Sequence, residues 1–372
     1  MSDNIVSPLG NTSADNFSKL KNNLSGIQSH NDPALSAQPV YASLINDAAV
    51  YTPENSDRSY TKFENFLIVS IDDAIRNSKV ITDDARTVLI ISSTKGNISL
   101  LENEELKDDV KKRVSLSHSA NLIAAHFGFV NKPVVVSHAC ISGLVAIITG
   151  MRLIQSGKYD TAVVAGADLI TKFILSGFQS FQAVSTEPCK PFDEIRNGIT
   201  LGEGAATVIL SANKPADGAI KISGGSVSND ANHISGPSRT GEELYQAIQS
   251  ALKESGISKD DIDFISAHGT ATVYNDEMEA KAINLAGMQD VPVNSLKGYY
   301  GHTLGAAGLI ETVVSVHSLK ENVVLPTLGY SKPGTSKPVH VFTELKQGVF
   351  NNCLKTASGF GGCNAAIVLQ KT

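Results

Sequence analysis

The sequence predicts an α/β fold in which one structural unit occurs twice and the two copies form a five-layer αβαβα body. Short apolar runs with the composition of buried strands alternate with segments whose apolar residues recur at helical spacing. The order of these segments in residues 1–212 recurs in residues 213–372. Because alternating strands and helices give sheets with helices on their faces, two facing copies produce the five layers.

The composition excludes several classes of protein. The chain has 372 residues, of which 42% are hydrophobic and 18% charged, as is typical of globular proteins. A net charge of −6 without a Lys/Arg cluster argues against nucleic acid as a partner, and the apolar runs are too short to span a membrane. The N-terminus lacks the pattern of a signal or transit peptide, so we expect a cytoplasmic protein. The four cysteines have no close pairs, which predicts neither a disulfide framework nor a metal site.

The N-terminal half, residues 1–212, begins with polar sequence and continues as alternating helices and strands. Its strands are continuous apolar runs bounded by polar residues, which is typical of strands buried on both faces. Glycines that lead into a final strand, over 202–210, close this half. Helices are predicted near Phe17 and over 59–77, 103–112 and 117–128, and buried strands over 85–93, Val134–Val136 and 161–167.

The C-terminal half, residues 213–372, repeats this plan block by block. A strand at 219–223 has no equivalent of similar length before Val6, so we expect the first copy to lack most of its opening strand. The corresponding blocks are 59–77 and 242–256 (helices), 85–93 and 263–267 (strands), Val134–Val136 and 292–294 (central strands), 141–157 and 301–319 (central helices), and 202–210 and 359–369 (glycines and a strand).

Cys140 is the first candidate for catalysis, because it lies where a strand turns into a helix. Val134–Val136 form a β-branched run, and from Ile141 apolar residues recur at helical spacing until Gly157. Such a turn exposes its side chain on a sharp bend, and the helix N-terminus stabilises a thiolate, so we expect a thiol that ionises easily. Position alone also allows the alternative of an inert packing residue, which most intracellular cysteines are.

Three further segments carry candidate residues at strand ends or helix starts, where α/β proteins form their sites. His268 lies just past a strand, Lys297 and His302 precede a helix of small residues, and 359–362 is rich in glycine. A single histidine is more often structural than catalytic, so each segment alone is weak evidence. Their equivalent positions in the repeated unit predict that they meet Cys140 in one site.

Three motifs together resemble those of the β-ketoacyl-[acyl-carrier-protein] synthases. They are ACISG at 139–143, HGTAT at 268–272 and KGYYGH at 297–302, and they are similar to the Cys-His-His type of chain-elongating fatty-acid synthases and polyketide ketosynthases. Further blocks of that family match 188–193, 202–206 and 359–365. The resemblance runs from about Val6 to the C-terminus. It implies the thiolase fold, which has the duplicated αβαβα architecture.

The resemblance implies a role for each matching residue. Cys140 is expected to accept an acyl chain from a carrier-protein thioester, and His268 and His302 to help decarboxylate the malonyl extender and stabilise the enolate oxygen. The implied partners are acyl carrier protein and a second subunit, identical or related, and no metal or redox cofactor is implied. Lys297 matches a lysine near the second histidine, and its expected supporting acids are Asp276, Glu279 and Glu311. The hydroxyl groups of Thr270 and Thr272 are expected to hold the phosphopantetheine arm. Phe360 matches a gating aromatic beside Gly359 at the substrate, and its N–H is expected to join that of Cys140 in an oxyanion hole.

Several alternatives remain open at the level of sequence. Asp276 and Glu279 are equally typical of solvated charges on a helix. A degradative thiolase would carry a second catalytic cysteine, for which Cys363 is a candidate, and an initiating synthase would have asparagine in place of His302. A chain-length factor is a binding subunit of similar fold, and such subunits typically lack the nucleophile that Cys140 provides here. The motifs do not determine the length or saturation of the acyl chain, or whether the pathway makes fatty acids or polyketides.

Overall fold

The structure is a computed structural model that describes residues 2–46, 60–103, 105, 107–213, 218–231 and 236–372. Among these residues, no helix has both the length and the apolar character needed to cross a membrane. The elements up to residue 211 are β1 (Asp3–Val6), α1 (Ser13–Lys21), β2 (Gln28–His30), β3 (Val40–Ser43), α2 (Lys62–Arg76), β4 (Thr87–Ser92), α3 (Leu100–Asn103), α4 (Asp108–Val114), α5 (Leu116–His126), β5 (Val134–Val136), α6 (Ser142–Gln155), β6 (Thr161–Asp168), α7 (Lys172–Ser180), β7 (Leu201–Gly202) and β8 (Gly204–Ser211).

The elements from residue 220 onward form the second part of the fold. They are β9 (Ile220–Asn229), α8 (Glu242–Ser255), β10 (Phe264–Ser266), α9 (Val273–Leu285), β11 (Pro292–Asn294), α10 (Lys297–Tyr300), α11 (Ala307–Glu321), β12 (Val323–Val324), β13 (His340–Val341), β14 (Lys346–Gln347), β15 (Asn352–Gly359) and β16 (Cys363–Lys371).

Two central sheets have the same strand order, which confirms the predicted duplication. The first sheet runs β1-β8-β6-β4-β5, and the second runs β9-β16-β15-β10-β11 with β13 added at the edge. In both sheets, counted in this order, the first and second strands are antiparallel, and so are the second and third. The third and fourth strands are parallel. The fourth and fifth strands are parallel as well.

The five predicted layers arise because α6 and α11 lie between the two sheets. Each of these helices contacts strands of both sheets, whereas α2 and α5 cover the outer face of the first sheet and α8 covers that of the second. The largest hydrophobic cluster lies in this middle layer and combines residues of both halves, such as Ile147 with Leu309 and Ile367. The ends of the central strands therefore meet around the starts of α6 and α11.

Local sequence explains why the outer helix α2 begins where it does. The Thr61 hydroxyl accepts the Glu64 backbone N–H, and the Glu64 carboxylate accepts the Thr61 N–H, so the two residues form a capping box. The neighbouring strand β4 is buried along its whole length, as its continuous apolar sequence predicts. The predicted helix over 59–77 therefore holds for 62–76, while Ser59 lies outside the described residues.

The opening strand of the first copy is much shorter than its counterpart, as expected. β1 is only four residues long, against ten for β9, but all four residues pair with β8, from Asp3 opposite Val208 to Val6 opposite Ala205. The short strand is sufficient because Ile5 and Val6 are fully buried there. The sequence analysis also missed β15, the strand that carries Lys355 into the centre of the second sheet.

Two predicted helices begin later in the structure than in the prediction, and the second difference affects the site. The charged segment predicted as a helix over 103–112 contains α4, which begins at Asp108, and its residues 104 and 106 lie outside the described residues. The central helix predicted over 301–319 begins only at Ala307, because Gly301 and Leu304 have φ angles of +66° and +50°. These left-handed residues break the helix and leave His302 on a turn.

Candidate active site

Cys140 lies on the tight turn between β5 and α6, as predicted. Ala139 has a φ angle of +45°, a strained value for a residue with a Cβ atom. The Ser142 hydroxyl stabilises the turn, since it donates to the Ala139 carbonyl oxygen (2.6 Å) and accepts the His138 N–H (2.7 Å). The Cys140 side chain is buried but borders a cavity of about 380 Å³.

The Cys140 thiol is harder to ionise than its position at a helix start predicts. Burial, followed by the nearby Cys363 thiol, raises the pKa of Cys140 to about 12, although the Lys297 ammonium and the Phe360 N–H favour the thiolate. The expectation of an easily ionised thiol is therefore wrong for the resting site, because the cost of burying the charge exceeds these favourable contributions. A nearby group must take the thiol proton when the sulfur reacts.

His268 and His302 border the same cavity as Cys140. Their rings are 5.1 Å apart between centroids and nearly perpendicular, and both residues are buried. Burial, together with the positive charge of Lys297, lowers the pKa of each imidazole well below its ordinary value, so both are neutral at pH 7. Within the described part of the chain, the Nδ1 atom of each ring has no hydrogen-bond partner. The site thus holds two neutral imidazoles that are able to exchange protons.

Lys297 supports the loop of His268 from the first turn of α10. Its ammonium group donates to the His268 carbonyl oxygen (2.9 Å) and forms an ion pair with Glu311 on α11. Both partners of the ion pair are almost fully buried. The structure therefore joins Lys297 to Glu311, one of its three predicted supporting acids.

The other two predicted acids, Glu279 and Asp276, hold backbone N–H groups instead of Lys297. Glu279 accepts from the N–H groups of His268 (2.8 Å) and Gly269 (2.6 Å). Asp276 accepts from the Phe192 N–H (2.7 Å), and burial raises its pKa to about 7. Both carboxyl groups are fully buried, so the alternative of solvated helix charges is wrong. They fix loops around the site, and Lys297 is not their partner.

The predicted substrate-binding residues all border the cavity. Thr270 and Thr272 face each other with their hydroxyl oxygens 2.9 Å apart, and Thr272 also caps α9. Gly359 has little room for a side chain, because a Cβ atom there would lie 3.0 Å from the Cys140 nitrogen. Phe360 is partly exposed and packs against the rings of Phe178 and Phe181.

Known protein families match this chain over nearly its full length. "Beta-ketoacyl synthase, N-terminal domain" matches residues 5–216, and "Beta-ketoacyl synthase, C-terminal domain" matches residues 220–331. The chain belongs to the β-ketoacyl synthase family. It is therefore an acyltransferase, and its fold is the thiolase fold that the motifs implied.

Individual relatives agree with this assignment of a β-ketoacyl synthase. The chain is 30% identical over 404 residues to "3-oxoacyl-[acyl-carrier-protein] synthase 2" of Vibrio cholerae serotype O1, with 99% of the chain and 97% of the relative covered. A solved complex of a ketosynthase (ApeO) with its chain length factor (ApeC) from Xenorhabdus doucetiae matches at 25% identity with a TM-score of 0.86, covering 100% and 97% of the two chains. The ishigamide ketosynthase/chain length factor has a TM-score of 0.90 at 22% identity over 100% and 98%, which shows the shared fold.

Two residues that position the site of this β-ketoacyl synthase were missed in the sequence. Asp168, at the end of β6, accepts hydrogen bonds from the Thr94 N–H and the Gly305 N–H (2.7 Å for the latter), so it fixes the segment between His302 and α11. Lys355 is fully buried in β15. The available signals were a carboxylate directly after the apolar run 161–167 and a lysine inside an apolar strand.

Proposed function

We propose that this β-ketoacyl synthase catalyses a decarboxylative Claisen condensation between an acyl group carried on Cys140 and a malonyl group carried by acyl carrier protein. The observation that carries the proposal is the meeting of Cys140, His268 and His302 around one cavity of about 380 Å³. Acyl transfer through a thioester needs a nucleophilic sulfur, and condensation needs donors for an enolate oxygen. The names of relatives that act on acyl carrier protein support the same carrier.

In the loading step, the Cys140 sulfur attacks the carbonyl carbon of an acyl-carrier thioester. A neutral imidazole takes the thiol proton, because a thiol with a pKa of about 12 does not ionise alone at pH 7. The N–H groups of Cys140 and Phe360 bind the oxyanion of the tetrahedral intermediate. The carrier thiolate then leaves and takes up the proton, and the acyl group remains on Cys140.

In the condensation step, the malonyl thioester loses CO₂, and the electrons of the broken C–C bond form an enolate. His268 and His302 donate hydrogen bonds to the enolate oxygen. The enolate carbon attacks the acyl carbon on Cys140, and collapse of the intermediate releases the β-ketoacyl carrier and the Cys140 thiolate, which is protonated again. Because CO₂ loss generates the carbanion, this sequence needs no strong base.

The surrounding residues bind and orient the substrate. Thr270 and Thr272 border the cavity with their hydroxyl groups beside each other, and their role is to hold the amides of a phosphopantetheine arm at the entrance. Phe360 gates the passage between this entrance and Cys140, and Gly359 leaves the room for its loop beside the Cys140 nitrogen. Lys297, with Glu311 as its ion partner, holds the His268 loop.

We further propose that residues 1–212 and 213–372 are the two halves of the fold and that the chain works as a dimer, either with a second copy or with a related subunit. The ApeO structure is a complex with a chain length factor, which supports a heterodimer as the second arrangement. Cys140 in a complete site favours the role of the catalytic subunit over that of a chain length factor.

Intact-mass analysis after incubation with acyl-loaded carrier protein tests the nucleophile. The wild-type chain is expected to gain the mass of the acyl group, and Cys140→Ala is expected to gain none. Cys363→Ala is the matched control, since Cys363 is another buried free cysteine at the same site, and it should be labelled like the wild type. Acylation that persists in Cys140→Ala and disappears in Cys363→Ala would overturn the assignment.

A further inference from the structure

Lys355 is a buried charged residue that the reaction outlined above does not use. It lies on β15, and its ammonium nitrogen is 2.6 Å from Glu311 Oε2. It also donates to the carbonyl oxygens of Thr356 (2.6 Å), Ser266 (3.2 Å) and Ala267 (3.3 Å). A buried ammonium group is costly unless it is paired and hydrogen-bonded, and these four contacts satisfy that requirement.

The contacts of Lys355 lead directly to His268. Ser266 and Ala267 are the two residues before His268, and the carbonyl oxygen of His268 itself accepts from Lys297. Two ammonium groups therefore bind three consecutive carbonyl oxygens of the segment that ends at the histidine. Glu311 links the two lysines, because one carboxylate oxygen pairs with each.

The charged groups that contact the His268 segment, together with Glu311, which pairs with both lysines, balance only when Lys355 is counted. Lys297 and Lys355 contribute two positive charges, and Glu311 and Glu279 contribute two negative ones. Thr356 connects the strand of Lys355 to Glu279, since its hydroxyl lies 3.2 Å from a Glu279 oxygen. The charges that act on the two imidazoles are those of Lys297 (α10) and Lys355 (β15). Of the other titratable groups around the site, Asp276 (α9) lies 3.8 Å from Arg196, and Asp168 (β6) and Cys363 (β16) act on Cys140.

We propose that Lys355 is a positioning residue for the decarboxylation step, which holds the His268 segment and the shared Glu311 carboxylate and completes the charge balance behind both histidines. The inference rests on the proposed function. Burial and the positive charge of Lys297 lower the pKa of His268 and of His302, and the positive charge of Lys355 lowers both pKa values further. A neutral imidazole suits CO₂ loss, because an imidazolium beside the malonyl carboxylate would stabilise the charge that must leave it.

The pH dependence of CO₂ release from malonyl-loaded carrier protein tests this role. In Lys355→Met the cluster has one net negative charge, which raises the histidine pKa values. The acid limb of the decarboxylation rate is then expected to move to higher pH by up to about one unit, with kcat reduced at pH 6 and KM for the carrier unchanged. Leu354→Met, on the same strand but on its other face, is the control for altered packing and should retain the wild-type profile.

The double variant Lys355→Met/Glu311→Gln restores the charge balance, since Lys297 and Glu279 then remain as one cation and one anion. Its acid limb is expected to return toward the wild-type position even if its maximal rate is reduced. In this variant Lys297 loses its ion partner but keeps its hydrogen bond to the His268 carbonyl oxygen. If Lys355→Met alone does not fold, the double variant, from which the negative charge of Glu311 is also removed, supplies the measurement. Lys355→Arg, which keeps the charge, is expected to keep the wild-type acid limb.

The outcomes separate failure of this inference from failure of the proposed function. Wild-type enzyme that releases no CO₂ from malonyl-loaded carrier would overturn the function itself. Normal CO₂ release with an acid limb that stays in place in Lys355→Met, whether the rate is unchanged or merely lower, would overturn the role of Lys355 alone. An acid limb that shifts in the single variant and stays shifted in the double variant would contradict the charge balance.

Discussion

Burial of the Cys140 thiol determines when the sulfur is able to react. With a pKa of about 12, the thiol is almost entirely protonated at pH 7, so the resting enzyme presents a weak nucleophile. His268 and His302 are neutral and border the same cavity, which makes them the available proton acceptors. In the proposed reaction, reactivity is therefore a property of the three residues together and is expected when a thioester enters the cavity.

Cys140→Gln should separate the two half-reactions. The glutamine amide has a reach similar to that of the acyl thioester but cannot be acylated, so formation of β-ketoacyl product is expected to fall below detection. Its carbonyl oxygen is expected to occupy the proposed oxyanion hole and imitate the loaded state, so malonyl-carrier protein should still be converted to acetyl-carrier protein and CO₂. Mass spectrometry of both carrier products measures the two outcomes.

Cys140→Ala is the control for this substitution, because it removes the sulfur without supplying an amide. It should decarboxylate more slowly than Cys140→Gln. Continued β-ketoacyl formation in either variant would show that Cys140 is not the nucleophile. Loss of decarboxylation in a folded Cys140→Gln would argue against independent half-reactions.

Asp276→Asn tests whether a buried carboxyl group lowers stability at neutral pH. Burial raises the pKa of Asp276 from 3.8 to about 7 in the folded chain, so the folded state retains a proton that the unfolded state loses in this interval. The contribution of Asp276 to stability is therefore fully present below pH 4 and decreases as the pH rises to about 7. The free energy of unfolding of wild type minus that of Asp276→Asn should fall over this interval and level off above it. Urea titrations at several pH values measure this difference, and Asp260→Asn, at an exposed position, should show no such trend.

The residues that we propose as catalytic were found in the sequence because each lies within a contiguous motif at a strand end or helix start. Cys140, His268, His302 and Lys297 all fall at such places. Lys355 and Asp168 were not predictable, because their roles depend on contacts with residues more than 40 positions away in the chain. The thiol pKa was mispredicted for a related reason, since the helix start is visible in the sequence and the depth of burial is not.

Two glycines at the starts of the central helices allow α6 and α11 to approach each other closely. A Cβ atom on Gly143 would lie 2.8 Å from the Leu309 nitrogen, and one on Gly308 would lie 2.6 Å from the Leu144 nitrogen. Both clashes are with backbone atoms, which cannot rotate away. The close contact brings the turn of Cys140 and the turn of His302 to the same cavity.

Gly308→Ala is therefore expected to lower the free energy of unfolding by about 1–3 kcal/mol, the usual cost of overpacking. Condensation should fall more than stability alone explains, because the helices that carry the two turns must separate. Gly177→Ala is the control, since Gly177 lies in helix α7 with nothing within 4 Å of its added methyl group, and it should be neutral or slightly stabilising. Equal effects of the two substitutions in denaturant titration and activity assays would contradict this role of the glycines.

At the level of elements, periodicity predicted the buried strands and amphipathic helices well. The helix over 242–256 and the strand Val134–Val136 were found with little change in their ends. The start of α11 was predicted six residues too early, because apolar spacing does not report the left-handed backbone at Gly301 and Leu304. β1 is as short as expected, and its four residues are stabilised by pairing with the distant β8.

The whole molecule is expected to be a dimer in solution. Within the described residues β5 pairs with β4 on one side only, and its three valines are half-buried, so the edge of the first sheet is open for a partner strand. Light scattering should give about twice the chain mass of 39.3 kDa, or a mass near that value that doubles when a related subunit is added. A stable monomer with full condensing activity would contradict the expectation.

The equal strand order of the two sheets has a consequence for how such chemistry arises. Cys140 follows β5 and His302 follows β11, and these strands occupy the same place in their sheets. In an assembly of identical copies, the two turns would carry the same side chain, and a thiol would face a thiol. The proposed catalysis depends on broken symmetry, because one turn is assigned to carry the acyl group and the other to transfer protons. That divergence requires two different sequences in one fold, and joining both copies in a single chain guarantees that they always meet.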